Sequence, residues 1–549
     1  MANYTIAAVF SDHMVLQRNK NITIFGTGEN GTVIYAELSN SKNKTLSSNK
    51  TKIQNGVWEL QFEPQVAQEN CTLKINDTTF TDVSIGEVWL AGGQSNMEFE
   101  LQNCVEGPGA LAETKDPNVR FYYTNKIAWK DEHFYEAEKN TCWQTWESEG
   151  KKSWSAVGYF FAKKLAKDLG CTVGLIGCNW GGTSASAWMR KEFLEKDEEL
   201  RTYLTEQEEA LKGKTIEQSL KEYADYQTAF NKWLKDFDEL WKKQPGISWA
   251  EAERVLGKNP YPGPKACNNP YRPCGLYDCM LERILPYTIK GVIWYQGESD
   301  DHKPNMYYKL FSNMIDNWRT DWKDNELPFL FVQLTNHRYE QDKDFKHWCF
   351  VREAQNKVHS TIKNAWMTVS MDLGKYSDIH PTQKEQLGYR LEGNALANVY
   401  GLKKSEDVLS PELDSIFIGS DFIKLSFKNA EKGFELRDDT RELEELKKME
   451  AIQGNTVPED FTGFEIAGED KVFYPAEFTF GKKDELNTIT LKSKKVTEPK
   501  FARYAWYNYG PVTLFGKNGL PVAPFRTSLT DSQSTTEHAE IQQVMTVNN

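Results

Sequence analysis

Four short segments carry side chains that together could cleave an ester. Ser95 lies in "GGQSNM", Gly181 and Gly182 in "NWGGTSASAW", Gln296 and Glu298 in "WYQGESD", and Asp378 and His380 in "SDIHP". A serine hydroxyl attacks a carbonyl only when a base removes its proton. His380 suits that task, because an imidazole titrates near neutral pH. The base needs a carboxylate to orient it, and two are available, Asp378 and Glu298. The negative oxygen that forms during attack needs fixed donors. The backbone N–H groups of Ser95 and Gly182 and the side-chain amide of Gln296 are the candidates. Glycine at 181 and 182 lets the backbone come close to a bound ester where a Cβ would obstruct it.

Each segment also has an ordinary reading. Gly-Gln-Ser-Asn is a good helix cap. Glu298 with Asp300, Asp301 and His302 could form a metal cluster, and Gln296 could be a turn residue. What favours chemistry is the coincidence of four such segments, each at the end of a predicted strand. No metal and no cofactor are expected. The seventeen tryptophans offer faces for a sugar ring, although most tryptophans are core. Trp188, after the glycine loop, Tyr295, beside Gln296, and Trp506, in "RYAWYNYG", are the candidate stacking residues. Arg352, in "FVREAQ", is a candidate polar contact.

These groups have to be held by a scaffold. Between about 84 and 400, strands at 87–92, 172–178, 289–295, 328–334 and 366–371 alternate with helices such as 155–169 and 384–399. Continuous apolar strands between amphipathic helices imply an α/β fold with a parallel sheet covered on both faces. In such a sheet, ligands bind at the carboxyl edge of the strands, where all four segments fall. Residues 1–83 alternate polar and apolar positions with Asn-Gly turns and read as an N-terminal β-sandwich. Residues 401–527 read as a second β domain, and 528–549 as a polar tail. Residues 190–258 interrupt the alternation as a helical insertion. Its stripe Tyr223, Tyr226, Phe230, Trp233, Leu234, Phe237, Leu240 and Trp241 has helical spacing. Packing is the ordinary use of that stripe; a lid or a homo-oligomer contact is the functional one.

The net charge of −13 argues against nucleic acid or an anionic membrane as partner. The nine cysteines include no Cys-x-x-Cys pair, which favours reduced thiols over a disulfide framework. No stretch approaches the ~18 apolar residues of a membrane helix, and no secretory leader is recognisable. A cytoplasmic protein is the expectation.

At "GQSNM", "WGGT", "WYQGES" and "DIHP" the chain resembles the SGNH-hydrolase superfamily, in its sialate O-acetylesterase-like carbohydrate esterase branch. "FSDHMVLQR" and "RYAWYNYGPVTLFGKNGLPVAPFRT" are similar to the same branch, so the resemblance spans residues 8–527. It implies a flavodoxin-like three-layer α/β/α core flanked by β domains, and removal of acetyl groups from acetylated mono- or oligosaccharides without a metal. The sugar could be sialic acid or a xylan, mannan or xyloglucan fragment. It marks Ser95 as nucleophile, His380 as base, and Ser95, Gly182 and Gln296 as oxyanion donors. Many members have Asp three residues before the His. Here position 377 is Ser and the Asp is two before; in some related acetyl esterases the Glu of the Gln-Gly-Glu block is the acid instead. The alternative class is a non-catalytic sugar-binding protein on an esterase scaffold.

Overall fold

The computed structural model describes residues 3–132, 134–244, 247, 249–338, 346–376, 378–452, 454, 456–459 and 461–528. Position 377 and the tail beyond Ser528 lie outside the described residues.

The central sheet contains six parallel strands: β1 (Thr78–Gly93), β2 (Val119–Tyr123), β3 (Val173–Asn179), β4 (Gly291–Tyr295), β5 (Phe329–Val332) and β6 (Ala365–Thr368). Their order across the sheet is β2-β3-β1-β4-β5-β6, and a short antiparallel strand, Trp143–Gln144, closes the β2 edge. Four helices cover the sheet: α1 (Ala156–Leu169), α4 (Tyr307–Asp321), α5 (His347–Thr361) and α6 (Glu385–Asn398). Because successive strand residues face opposite sides, each apolar run feeds two cores. Leu90, Val292, Trp294, Phe329 and Phe331 pack with Phe311, Trp318 and Val351 of α4 and α5. Trp89, Ala91, Ile293, Tyr295, Leu330 and Val332 pack with Phe160, Leu165, Leu387 and Leu391 of α1 and α6. Burial on both faces explains why these strands read as continuous apolar runs rather than alternating ones.

The N-terminal residues form β-sheets, but the expected boundary at 83/84 falls inside β1. This strand pairs antiparallel with Gln68–Ile75 through its first half and parallel with β3 and β4 through its second. Its burial changes from alternating to continuous near Val83. The sequence pattern changes there because a covering layer is added, not because the strand ends. The C-terminal residues form two four-stranded sheets and a two-stranded one. They also contain a helix, Thr440–Ile452, absent from the all-β reading.

The insertion holds two main helices, α2 (Arg201–Leu211) and α3 (Ile216–Lys243). Thr215 and Gln218 form a capping box at the start of α3, which satisfies two otherwise orphan N–H groups. Tyr223 and Trp233 are buried, and the stripe self-stacks, with Tyr226–Phe230 at 5.6 Å and Trp233–Phe237 at 5.5 Å.

Helices α1 and α6 cross closely at Gly388. A Cβ there would come within 2.6 Å of Phe160 Cβ, 2.8 Å of the Phe161 nitrogen and 2.9 Å of the Val157 oxygen. Two of those atoms are backbone and cannot swing away. Gly388→Ala should therefore destabilise the protein by about 1–3 kcal/mol, read as a lower midpoint of urea unfolding; an unchanged midpoint would contradict this packing.

Candidate active site

Ser95 opens the helical turn that leaves β1. Two glycines precede it for steric reasons. A Cβ on Gly92 would meet the Trp294 ring at 2.9 Å, and one on Gly93, whose φ is +135°, would meet the Tyr295 oxygen at 2.2 Å. The strand can therefore pack against β4 up to its last residue and still turn. His380 arrives from the segment between β6 and α6. Ser95 Oγ and His380 Nε2 are hydrogen-bonded at 2.7 Å. The glycine loop after β3 closes the third side. A Cβ on Gly181 would lie 3.2 Å from Ser95 Cβ, a tight contact that glycine avoids. Gly182 follows with φ +76°. Among the described residues, neither the Ser95 nor the Gly182 N–H donates to a protein acceptor.

The two candidate carboxylates have different partners. Asp378 Oδ1 accepts from the backbone N–H of His380 at 3.0 Å. Glu298 is buried, and its Oε1 accepts from Asn96 Nδ2 at 2.6 Å rather than from the imidazole. Burial lowers the pKa of His380 below its ordinary value; the Lys384 ammonium acts in the same direction and the Asp378 carboxylate opposes both.

Asn96 organises this region. Its Nδ2 donates to Glu298 Oε1 and, at 2.9 Å, to the carbonyl of Ile379, the residue before His380. Its Oδ1 accepts from Lys384 Nζ at 2.8 Å. One amide thus ties the Ser95 turn, the block after β4 and the His380 segment together. Burial pulls the Lys384 ammonium down to about 7, against the nearby Glu298 and Asp378 carboxylates. The same burial pushes the Glu298 carboxyl up.

The Gln296 amide is already committed. Its Nε2 donates to Asp300 Oδ2 at 2.6 Å and to the Thr183 carbonyl at 3.2 Å, and its Oε1 accepts from the Tyr307 hydroxyl at 2.9 Å. In this structure Gln296 braces the glycine loop; both its amide hydrogens already have acceptors, so it is not a spare oxyanion donor. Asp300 completes the brace by accepting from Ser184 Oγ (2.6 Å), the Ala185 N–H (2.9 Å) and the Tyr203 hydroxyl (3.3 Å). Asp301 instead accepts from Trp348 Nε1 at 3.1 Å. Among the described residues, no three His, Cys, Asp or Glu side chains gather as a metal site.

The four candidate substrate contacts are elsewhere. Trp188 is fully buried and donates to Thr183 Oγ1 at 3.0 Å. Tyr295 points into the α1/α6 core. Trp506 is buried edge-on to Phe350, beneath the Arg526 guanidinium. Arg352 is buried and donates to the carbonyls of Leu334, Thr335, Tyr507 and Asn508. It clamps the "RYAWYNYG" run onto the loop after β5. Nearness in sequence to a candidate segment does not make an aromatic a ligand contact: Tyr295 is turned into the core by the strand pleat, and Trp188 and Trp506 are buried from a 3-10 turn and a loop.

Sequence reasoning missed Asn96 and Lys384 and considered Asp300 only as a metal ligand. Asn96 adjoins the nucleophile and Lys384 lies four residues after the histidine, but nothing in their spacing shows that they meet.

The family model of carbohydrate esterases described as sialic acid-specific acetylesterases matches residues 85–239 and 268–400. The chain belongs to that family. It is a carboxylic ester hydrolase. It is 25% identical over 438 residues to the sialate O-acetylesterase of Mus musculus, covering 73% of this chain and 74% of that protein. It is 24% identical over 432 residues to the one of Homo sapiens, covering 73% and 72%. A crystal structure of a carbohydrate acetylesterase from Xanthomonas citri shares the fold, with TM-score 0.70 and 24% identity, over 96% of this chain and 100% of that one.

The charge around His380 makes a pH prediction. If His380 serves as the base, it works only when neutral, and activity falls as pH drops through its pKa. Burial and Lys384 lower that pKa, which places the acid limb of kcat/KM below the ordinary histidine value of about 6.5. Lys384→Met removes the ammonium and should move the limb to higher pH. A limb that stays in place or moves down would contradict this reading of the field.

Proposed function

We propose that the protein removes O-acetyl groups from sugars by serine hydrolysis. The observation that carries this reading is the 2.7 Å hydrogen bond from Ser95 Oγ to His380 Nε2 beside a glycine loop. As Ser95 Oγ attacks the acetyl carbonyl, His380 Nε2 takes its proton. The carbonyl oxygen becomes an oxyanion, stabilised by the N–H groups of Ser95 and Gly182. Collapse expels the sugar oxygen, which takes the proton from His380. Water, activated by the same imidazole, then cleaves the acetyl-serine and releases acetate.

Asp378 is the carboxylate whose charge acts on the imidazolium, because it sits against the histidine's own backbone. Glu298 acts at one remove, through Asn96. Strands β3-β1-β4-β5-β6 follow the order 2-1-3-4-5, which supports a flavodoxin-like SGNH core, with the terminal β regions as accessory domains. The acetylated sugar is sialic acid or a plant-polysaccharide fragment; the relatives named sialate O-acetylesterases support the first. A purely sugar-binding role would not need the serine–histidine hydrogen bond.

Ser95→Ala should lower hydrolysis of acetylated sugars by about 10^4-fold with folding retained; activity within tenfold of the parent would overturn the assignment. The isosteric pair Asp378→Asn and Glu298→Gln tests the acid. Asp378→Asn should cost about 10^3-fold in kcat and Glu298→Gln far less, whereas the reverse order would transfer the role to Glu298.

A further inference from the structure

A large cleft, about 1320 Å³, opens at Gly182. One wall is the glycine loop and the segment after Gln296, with Ser184, Ser299 and His302. The other is the insertion, with Tyr203 and Glu206 of α2 and Tyr226 of α3, followed by the loop that returns from it with Asn259, Tyr261 and Tyr271. The family match breaks between residues 239 and 268. The stretch carrying Lys258, Asn259, Tyr261 and Lys265 lies outside the residues that the family model matches.

Three tyrosines form a shelf on that wall. Tyr261 is 44% exposed. It meets Tyr271 edge to face at 5.7 Å and Phe230 at 6.4 Å. The shelf is held rigidly. Tyr226 stacks on Phe230 at 5.6 Å, and its ring lies so close to Gly263, whose φ is +80°, that a Cβ there would come within 2.6 Å. The shelf also adjoins the reaction centre. A Cβ on Gly182 would sit 3.0 Å from both the Tyr261 hydroxyl oxygen and Tyr271 Cε1. The insertion is coupled to the site through Tyr203, which donates to the same Asp300 that holds the glycine loop and Gln296.

We propose that this cleft is the leaving-group subsite, and that it takes an acetylated oligosaccharide of two or more rings, one of them lying on Tyr261. This rests on the acetylesterase reading above. The volume exceeds the ~300–1,000 Å³ of a small-molecule pocket. Preformed aromatic faces edged by hydroxyls and amides suit a pyranose, whose C–H face is apolar and whose rim is polar. The polar edge here is Ser184, Ser299, Glu206 and Asn259. The candidate aromatics Trp188, Tyr295 and Trp506 are buried, whereas Tyr261 presents an exposed ring beside Gly182.

The test compares acetylated xylo-, manno- and xyloglucan oligosaccharides and sialyl-oligosaccharides with their acetylated monosaccharides and with 4-nitrophenyl acetate. At least one oligosaccharide should exceed its monosaccharide in kcat/KM by about tenfold or more. Tyr261→Ala should erase about tenfold of that, the scale of one lost stacking contact (~1.4 kcal/mol), and slow 4-nitrophenyl acetate hydrolysis by clearly less. No oligosaccharide preference, or an equal loss on both substrate types, would overturn the subsite. Calorimetric binding of the same acetylated oligosaccharides to Ser95→Ala reads the subsite without turnover. If the parent hydrolyses no acetyl ester, the acetylesterase reading fails. The subsite then stands if Tyr261→Ala in that background weakens binding about tenfold, and falls if binding is absent or unchanged.

Discussion

Ser95 and His380 are 285 residues apart in the chain and must meet within one hydrogen bond. Most of the architecture around the site can be understood from that requirement. The serine is delivered by β1, an interior strand of the sheet, and the histidine by the segment between the edge strand β6 and α6. Between them runs β4, whose following block supplies Glu298. Packing alone would fix the strands but not the two loops, because loops carry polar backbone that cannot be buried unpaired. The Asn96 amide supplies the missing constraint by donating to the block after β4 and to the carbonyl next to His380, while accepting from Lys384. Asparagine is well suited here, because its side chain both donates and accepts.

The cost of that arrangement is a buried carboxylate and a buried ammonium behind the nucleophile. Neither is well solvated, and burial drives both toward their neutral forms. Replacing such a pair by apolar groups can even stabilise a fold, whereas leaving one member alone is strongly unfavourable. Here the two are bridged by a single amide, which favours one arrangement of three chain segments over looser ones. The same charges reach His380: the lysine's field lowers its pKa and favours the neutral imidazole, while the Asp378 and Glu98 carboxylates pull the other way.

The strands and the nucleophile were legible because each is a local pattern. Runs such as "GEVWLAGG" and "IKGVIWY" are apolar at successive positions because both faces are covered. The two glycines before Ser95 are required by contacts with Trp294 and Tyr295, and that pressure leaves a visible Gly-Gly. The division at residue 83 was misplaced for the complementary reason: the pattern reports burial, and burial changes partway along one strand. The partner of each polar side chain was not legible. Gln296 has the right chemistry for an oxyanion donor, but Asp300 is four residues on and claims its amide. Glu298 and Asp378 are equally good acids on paper; which one adjoins the imidazole depends on how two loops cross.

The aromatic residues carry the same lesson further. Trp188, Tyr295 and Trp506 sit beside the conspicuous segments, and each is buried. A segment that positions catalytic groups must itself be anchored, and large aromatics next to it are the natural anchors. Exposed rings for a ligand must then come from chain that is not holding the sheet together. In this protein that chain is the insertion and its return loop, where "NPYPGPKA" reads as an ordinary turn-rich connection with no periodicity to draw attention to Tyr261. The division of labour follows from packing: the α/β core keeps its geometry by staying dense, so an exposed ring is more readily carried by a segment beside the glycine loop. The tie from Tyr203 to Asp300 links that segment to the brace of the reaction centre, so gripping the substrate and positioning the reacting groups share one buried carboxylate.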